Sequence, residues 1–185
     1  MKDVNTVRLT GTIFWQKLDD RQSFSILRLG LKTTSGDSCF LTVSNPSTKA
    51  YDILKPGNKV VLTAGMIDTW VKEDGSTELQ IKANDSGIMF FPKEKALTDF
   101  NSVSVVGKIV ALEPDGLATV EMVGDRNPKT DKPTIRKAKI NIGPEFKDGI
   151  VGSRIMLEAK VTSTEVEGKS KLAFKADYDK ILILS

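Results

Sequence analysis

The two halves of this sequence repeat each other, and this repeat constrains the fold more than any other feature. Asn5-Thr-Val-Arg-Leu-Thr-Gly11 matches Asn101-Ser-Val-Ser-Val-Val-Gly107 at an offset of 96 residues. Pro56-Gly-Asn-Lys-Val-Val-Leu-Thr-Ala64 matches Val151-Gly-Ser-Arg-Ile-Met-Leu-Glu-Ala159 at an offset of 95. Because the matches keep their order and spacing along 185 residues, we predict two homologous domains.

Each half shows the period-2 alternation of β-strands, and no long stretch repeats at the helical period. The expected core positions include Leu27, Leu29 and Leu31 on a second strand and Cys39, Leu41 and Val43 on a third. About 95 residues with five strands describe an OB-fold, a small Greek-key barrel. The predicted class is therefore all-β, with two tandem OB-fold barrels, each with at most a short helix between strands 3 and 4.

The first barrel is assigned to residues 1–92, the linker to 93–99 and the second barrel to 100–185. The helix candidate of the first barrel covers 48–55 and ends at Pro56-Gly57. In the repeat alignment, Ala111 and Glu165 of the second half take the places of Trp15 and Trp70.

The composition argues against catalysis. The chain has no histidine and one cysteine, which excludes Ser-His and Cys-His nucleophile pairs, imidazole or thiolate zinc sites and an internal disulfide. We predict no enzymatic activity, no metal and no cofactor, with Cys39 as a small core residue. No apolar run is long enough to span a bilayer, and the start lacks a signal core, so we expect a cytoplasmic protein.

The first half resembles the bacterial single-stranded-DNA-binding protein family. The residues that carry the resemblance are Asn5 to Gly11, Ser23 to Leu29, Leu54 to Gly65, Thr69 to Gly75 and Leu79 to Ala83. The resemblance implies single-stranded DNA as the partner, a role in DNA replication or recombination, and a homodimer that assembles four barrels.

The sequence also departs from the family pattern. Asn45-Pro46-Ser47 replaces the usual aromatic and glycine, and the chain ends at Ser185 without the acidic tail that recruits partner proteins. These departures indicate a divergent member, encoded by a phage or plasmid and then acting in the host cytoplasm.

Single strands are bound by aromatic side chains that stack on bases and by cations that contact phosphates. The alternation places Phe40 on the outward face of the third strand, and Trp70 enters the hairpin between strands 4 and 5 at a position that matches a stacking tryptophan of the family. Trp15 leads into the loop between strands 1 and 2, and either it or Phe14 is expected to face the core. The cations predicted for the first-domain site are Lys17, Arg21, Arg28, Lys72 and Lys82.

The second half has few aromatics and carries a basic segment instead. The predicted contacts there are Arg126, Lys129, Lys132, Lys137 and Lys139, with Lys137 and Lys139 pointing outward from the third strand. Such a segment would bind phosphates whatever the base sequence. The alternative is a solvated loop that only aids solubility.

Two functions from different classes remain open. The first is a sequence-independent single-stranded DNA-binding protein in which one barrel supplies stacking and the other mainly charge. The second is an OB-fold scaffold of a replication or assembly complex without strong affinity for nucleic acid. The net charge of +3 permits a polyanionic partner without requiring one, and RNA is not excluded.

Overall fold

A computed structural model describes residues 3–18, 24–31, 38–44, 55–146 and 150–184. Eleven β-strands account for most of these residues, with a short 3-10 helix at Asp85–Gly87. The strands are β1 Val4–Leu18, β2 Phe24–Leu31, β3 Ser38–Ser44, β4 Lys59–Val71, β5 Thr77–Asn84, β6 Ile88–Phe91, β7 Asn101–Leu112, β8 Leu117–Arg126, β9 Pro133–Asn141, β10 Arg154–Val166 and β11 Lys169–Leu184.

The strand pairings form two five-stranded barrels with the same topology. In the first, β1, β2, β3, β5 and β4 follow one another, and β4 pairs with β1 to close the ring. In the second, β7, β8, β9, β11 and β10 follow one another, and β10 closes on β7. The β3–β5 and β9–β11 pairs are parallel and the other pairs are antiparallel. The predicted all-β OB-fold architecture is confirmed.

The two first strands join the barrels. β1 pairs with β7 antiparallel from Val4 opposite Val106 to Leu9 opposite Asn101. Val7 lies opposite Val103, its own counterpart in the repeat, so a pseudo-two-fold axis passes between these two valines. β1 is thus part of one barrel and a neighbour of the other, and the two barrels share one continuous sheet.

The core follows the alternation read from the sequence. Leu27, Leu29 and Leu31 are buried, as are Cys39, Leu41 and Val43, all at most 5% exposed. Ala138, Ile140 and Ile142 face inward on and just after β9 in the second barrel. One face of each strand therefore fills its barrel, which leaves the opposite face for contacts with ligands or partners.

A bulge in β4 changes the repeat alignment. Leu62 lies opposite Leu9 and Gly65 opposite Val7, so β4 has one residue more than β1 over this stretch. β10 has no such shift, since Leu157 lies opposite Val105 and Ala159 opposite Val103. The match of Ala64 with Ala159 was therefore wrong.

Beyond the bulge the offset between the two fourth strands becomes 94 residues, which makes Gly65 the structural counterpart of Ala159. The counterpart of Trp70 is accordingly Thr164 rather than Glu165, because Trp70 follows Gly65 by the same number of residues as Thr164 follows Ala159. A threonine does not stack on a base, so the second barrel still lacks this tryptophan.

The repeated asparagines have a structural reason. Asn5 Nδ2 donates to the carbonyl of Ile67 at 2.8 Å, and Asn5 Oδ1 accepts from the Ile67 amide at 2.8 Å. Asn101 makes the same two bonds to Val161, at 2.8 and 2.7 Å. In each barrel the side chain continues the ladder between the first and fourth strands where the backbone pairing ends.

Two predictions lie outside these observations. The helix candidate at 48–55 falls mostly outside the described residues. The domain boundaries at 92 and 100 stay predictions, although β6 pairs with β4 and so belongs with the first barrel.

Candidate nucleic-acid interface

Both tryptophans of the chain line one cleft on the outer face of the first barrel. The cleft has a volume of about 670 Å³. Trp15 comes from β1 and is 45% exposed, and Trp70 comes from the end of β4 and is 41% exposed. Two large aromatic surfaces are thus presented to solvent from separate strands, although apolar side chains of this size are usually covered.

A bulge in β1 explains the exposure of Trp15. Ile13 lies opposite Leu29 and Trp15 opposite Arg28, so Phe14 is an extra residue in β1. Ile13 faces the core, whereas Phe14 and Trp15 both face outward, with Phe14 60% exposed. The prediction that one of these two aromatics faces the core was therefore wrong.

Trp70 is held by the hairpin that follows it. β4 ends at Val71, and the turn has Gly75 at φ +79°, a conformation that glycine adopts without strain. Asp74 Oδ1 accepts from the Ser76 amide at 2.8 Å and from its hydroxyl at 2.6 Å. These hydrogen bonds lower the pKa of Asp74, because they stabilise the charged form of its carboxylate. The predicted hairpin between strands 4 and 5 is confirmed, because β4 and β5 pair antiparallel up to Val71 opposite Thr77.

The rest of the cleft is formed by the outward faces of the barrel strands. Ile26 of β2 and Thr42 of β3 lie opposite each other in register. Thr42 is only 8% exposed, and its hydroxyl hydrogen-bonds Gln80 Oε1 of β5 at 2.7 Å. Strands 2 and 3 form the usual ligand face of an OB-fold. The cleft therefore lies where the fold class predicts a ligand.

The charges inside this cleft are mostly negative. Lys72 is the one cation among the described residues of its lining, and its ammonium lies 3.1 Å from Glu78. Glu73 and Asp74 also line the cleft. The described surroundings of the tryptophans therefore favour stacking on bases over contact with phosphates.

Three of the predicted cations lie around the cleft. The register places Lys17, Ile26, Thr42 and Lys82 in one row across β1, β2, β3 and β5. Arg28 is exposed and lies opposite Trp15, with Phe40 at the next register position on β3. Arg21 and the side chain of Phe40 lie outside the described residues.

The basic segment of the second barrel divides into two groups. Lys137 and Lys139 point outward from β9 and line a second cleft, as their predicted orientation requires. Lys129 and Lys132 are exposed in the turn between β8 and β9 and do not line it. Arg126 binds Asp131 within that turn, to its carbonyl at 2.7 Å and its carboxylate at 3.1 Å. The structure therefore brings two of these five cations to a cleft.

Sequence reasoning missed Leu79, Gln80 and Ile135, which line the clefts, and the cation Lys171. Lys171 follows the hairpin of the second barrel, in register with Thr164. Its place in a cleft shared by both barrels depends on how the barrels pack, which no local pattern encodes.

The described residues show no other chemical centre. They contain no group of three or more Cys, Asp or Glu side chains placed to hold a metal ion. Cys39 is buried, which raises the pKa of its thiol to about 12 and leaves no thiolate at neutral pH. Within the described part of the chain, no helix has the length and apolar character that crossing a membrane requires.

Comparison with solved structures supports the fold. The chain is similar to the crystal structure of a deletion mutant of the single-stranded DNA binding protein from Thermus aquaticus, with a TM-score of 0.57 and 14% sequence identity. The match covers 100% of this chain and 96% of that chain. No protein-family model and no curated protein matches the sequence. At this identity the similarity supports the OB-fold architecture alone, and the activity has to be argued from the site.

Proposed function

We propose that this protein binds single-stranded DNA without sequence specificity and acts in DNA replication or recombination rather than as an enzyme. The observation that carries this proposal is the pair of half-exposed tryptophans in one cleft on the β2–β3 face. Base stacking on such side chains contributes roughly 1–3 kcal/mol per base and tolerates every base. The fold similarity to a single-stranded DNA binding protein supports the same reading.

Tryptophan fluorescence provides the direct test, since both tryptophans lie in the proposed site. We expect oligo-dT to quench this fluorescence, moderate salt to weaken the effect, and duplex DNA to leave it unchanged. An oligo-U titration in parallel determines whether RNA binds as well. If neither quenching nor a gel shift is seen with any single strand, the proposal is wrong.

The Trp70→Ala variant tests the stacking role. We expect its binding free energy for a labelled dT oligomer, measured by fluorescence anisotropy, to weaken by about 1–3 kcal/mol. Val71→Ala is a matched control, because Val71 is 64% exposed beside Trp70 and does not line the cleft. If the two variants bind with equal affinity, Trp70 is not part of the binding site.

The acidic residues of the cleft favour a second candidate function. Glu73, Asp74 and Glu78 lie beside the tryptophans, and an apolar cleft with an acidic rim also fits a basic segment of a protein partner. This is the scaffold function in a replication or assembly complex. A fluorescence change with a partner protein but none with oligo-dT would support it.

We further propose a homodimer, as the family resemblance implies. Val4, Val106, Met156 and Leu182 form a row across β1, β7, β10 and β11 on the outer face of the shared sheet. Val4, Met156 and Leu182 are each more than a third exposed. Sedimentation equilibrium would then give twice the 20.3 kDa of one chain. The phage or plasmid origin and the cytoplasmic location stay predictions.

A further inference from the structure

A second cleft lies between the two barrels, with a volume of about 630 Å³. One wall is the β4–β5 hairpin of the first barrel, from Thr69 to Leu79. The other wall is the outer face of β8 and β9, together with Lys171 of β11. The ligand face of the second barrel is therefore directed toward the hairpin that carries Trp70.

This inter-barrel cleft shares part of its lining with the tryptophan cleft. Lys72, Glu78 and Leu79 line both of them. The hairpin therefore stands between the ligand faces of the two barrels and belongs to both sites. A strand that leaves the tryptophans past Lys72 therefore meets a second cleft that the same hairpin lines.

The inter-barrel cleft differs from the tryptophan cleft in charge. Of the residues that the structure describes, four lysines line it: Lys72, Lys137, Lys139 and Lys171. Within the same described lining, Glu78 is the one carboxylate. Ile135, which is 55% exposed, and Leu79 add apolar surface. Such a lining suits a polyanionic backbone with apolar bases attached.

The strand register shows how the two faces complement each other. Phe40 lies opposite Arg28 in the first barrel, and Lys139 lies opposite Thr119 at the corresponding place in the second. The second barrel thus carries an ammonium where the first carries an aromatic residue.

Two of these lysines already have carboxylate partners from outside the lining of the cleft. Lys137 Nζ lies 3.3 Å from Glu121, and Lys139 Nζ lies 2.5 Å from Glu113. Both lysine side chains are more than half exposed, so a phosphate in solution can reach them. A phosphate that binds Lys137 or Lys139 would therefore displace the carboxylate that is already paired with that lysine.

We propose, on the basis of the proposed function, that the inter-barrel cleft binds the sugar-phosphate backbone of the same nucleic-acid strand that stacks on Trp15 and Trp70. In the free protein, the carboxylates of Glu113 and Glu121 are paired with the ammonium groups that the phosphates would contact, and they therefore act as built-in competitors. They hold the affinity below what the lysines alone would give.

The lysine half of the proposal is tested with dT oligomers of two lengths, about 5 and about 15 nucleotides, which span the site sizes of one OB-fold. We expect Lys137→Gln/Lys139→Gln to bind the short oligomer like the wild type and the long one roughly tenfold more weakly. The slope of log affinity against log salt for the long oligomer should fall by about 1.4, since each lost phosphate contact on a single strand removes about 0.7.

Lys129→Gln/Lys132→Gln is the matched control, because it removes the same charge from the neighbouring turn outside both clefts. Equal effects of the two double variants on the long oligomer would mean that net charge, and not the cleft, sets the affinity. That result, or no effect of either variant, would overturn the proposal.

The carboxylate half predicts a gain of affinity. Glu113→Gln/Glu121→Gln should bind the long oligomer roughly three- to tenfold more tightly at low salt, because each lysine is released from an exposed ion pair. Glu158→Gln is the control, since Glu158 pairs with Lys180 at 2.8 Å and lines neither cleft. Unchanged or weaker binding by the double variant would contradict the competitor role.

Different results would contradict the proposed function and the role of the inter-barrel cleft. If wild-type protein binds neither oligomer, the proposed function is wrong and this inference falls with it. If the wild type binds both oligomers equally well and the cleft variants match it, the tryptophan cleft is the whole site and only this inference is wrong.

Discussion

At the scale of single residues, burial decides which groups are reactive. Cys39 is the one thiol of the chain and is 2% exposed in the first barrel. Desolvation raises its pKa from 9.0 to about 12, because the thiolate would lie in an apolar core. Its chemistry is therefore that of a small hydrophobic side chain, as the sequence predicted.

This burial has a measurable effect on stability at high pH. Above pH 9 the unfolded chain releases the thiol proton while the folded chain keeps it, so the free energy of unfolding falls as the pH rises toward 12. Between pH 8 and pH 10 we expect a loss of about 1.4 kcal/mol relative to Cys39→Ala, measured by urea denaturation. Parallel pH profiles of the two proteins would mean that water reaches the thiol in the folded state.

At the scale of elements, close approach between neighbouring strands explains the glycine repeated in the first strand of each half. A Cβ on Gly107 would lie 2.5 Å from the carbonyl oxygen of Glu121 in β8. A Cβ on Gly11 would meet Leu29 at 3.1 Å. A Cβ on Gly30 would instead meet the exposed ring of Phe14, at 2.2 Å. A ring can swing into solvent, whereas a backbone carbonyl within a ladder cannot.

We therefore expect Gly107→Ala and Gly30→Ala to differ in stability. Gly107→Ala should lower the free energy of unfolding by on the order of 1–3 kcal/mol, since β7 and β8 must move apart. Gly30→Ala should cost less, because only the ring of Phe14 moves. Urea denaturation of both variants gives the comparison, and a larger loss for Gly30→Ala would show that the ring is fixed in place.

At the scale of the whole molecule, the barrels are connected by more than the β1–β7 pairing. Arg136 of β9 reaches Asp68 of β4, with Nε 3.3 Å from the carboxylate and both side chains about 20% exposed. Its guanidinium lies so close to Gly124 that a Cβ there would come within 2.8 Å of it. The backbone amide of Thr69 donates to the same oxygen of Asp68 at 3.0 Å. This contact fixes the β4–β5 hairpin relative to the second barrel.

Removal of this ion pair should weaken the whole molecule. We expect Arg136→Ala to lower the free energy of unfolding by about 1–3 kcal/mol, because the mostly buried carboxylate of Asp68 loses its partner. Arg126→Ala is the matched control, since the Arg126–Asp131 pair is more than two-thirds exposed and should contribute under about 1 kcal/mol. Thermal denaturation of both variants gives the answer, and equal midpoints would mean that the inter-barrel pair is not stabilising.

The sequence was enough to predict two barrels and the inward faces of β2 and β3. These features follow from alternation and from the repeat, which are local patterns and are read directly from residue types. The hairpin between strands 4 and 5 and the outward direction of Lys137 and Lys139 were predictable because they too depend on short-range patterns.

Tertiary structure alone decided what the outward faces form. The bulge at Phe14 turns both Phe14 and Trp15 outward, because it adds one residue to β1. The residue types alone do not show that a residue has been added. Packing of the barrels then brought Lys72 and Lys171 together with Lys137 and Lys139, and left Lys129 and Lys132 outside. Alternation fixes which face of a strand a side chain occupies, but which distant elements share that face depends on contacts between residues far apart in the chain.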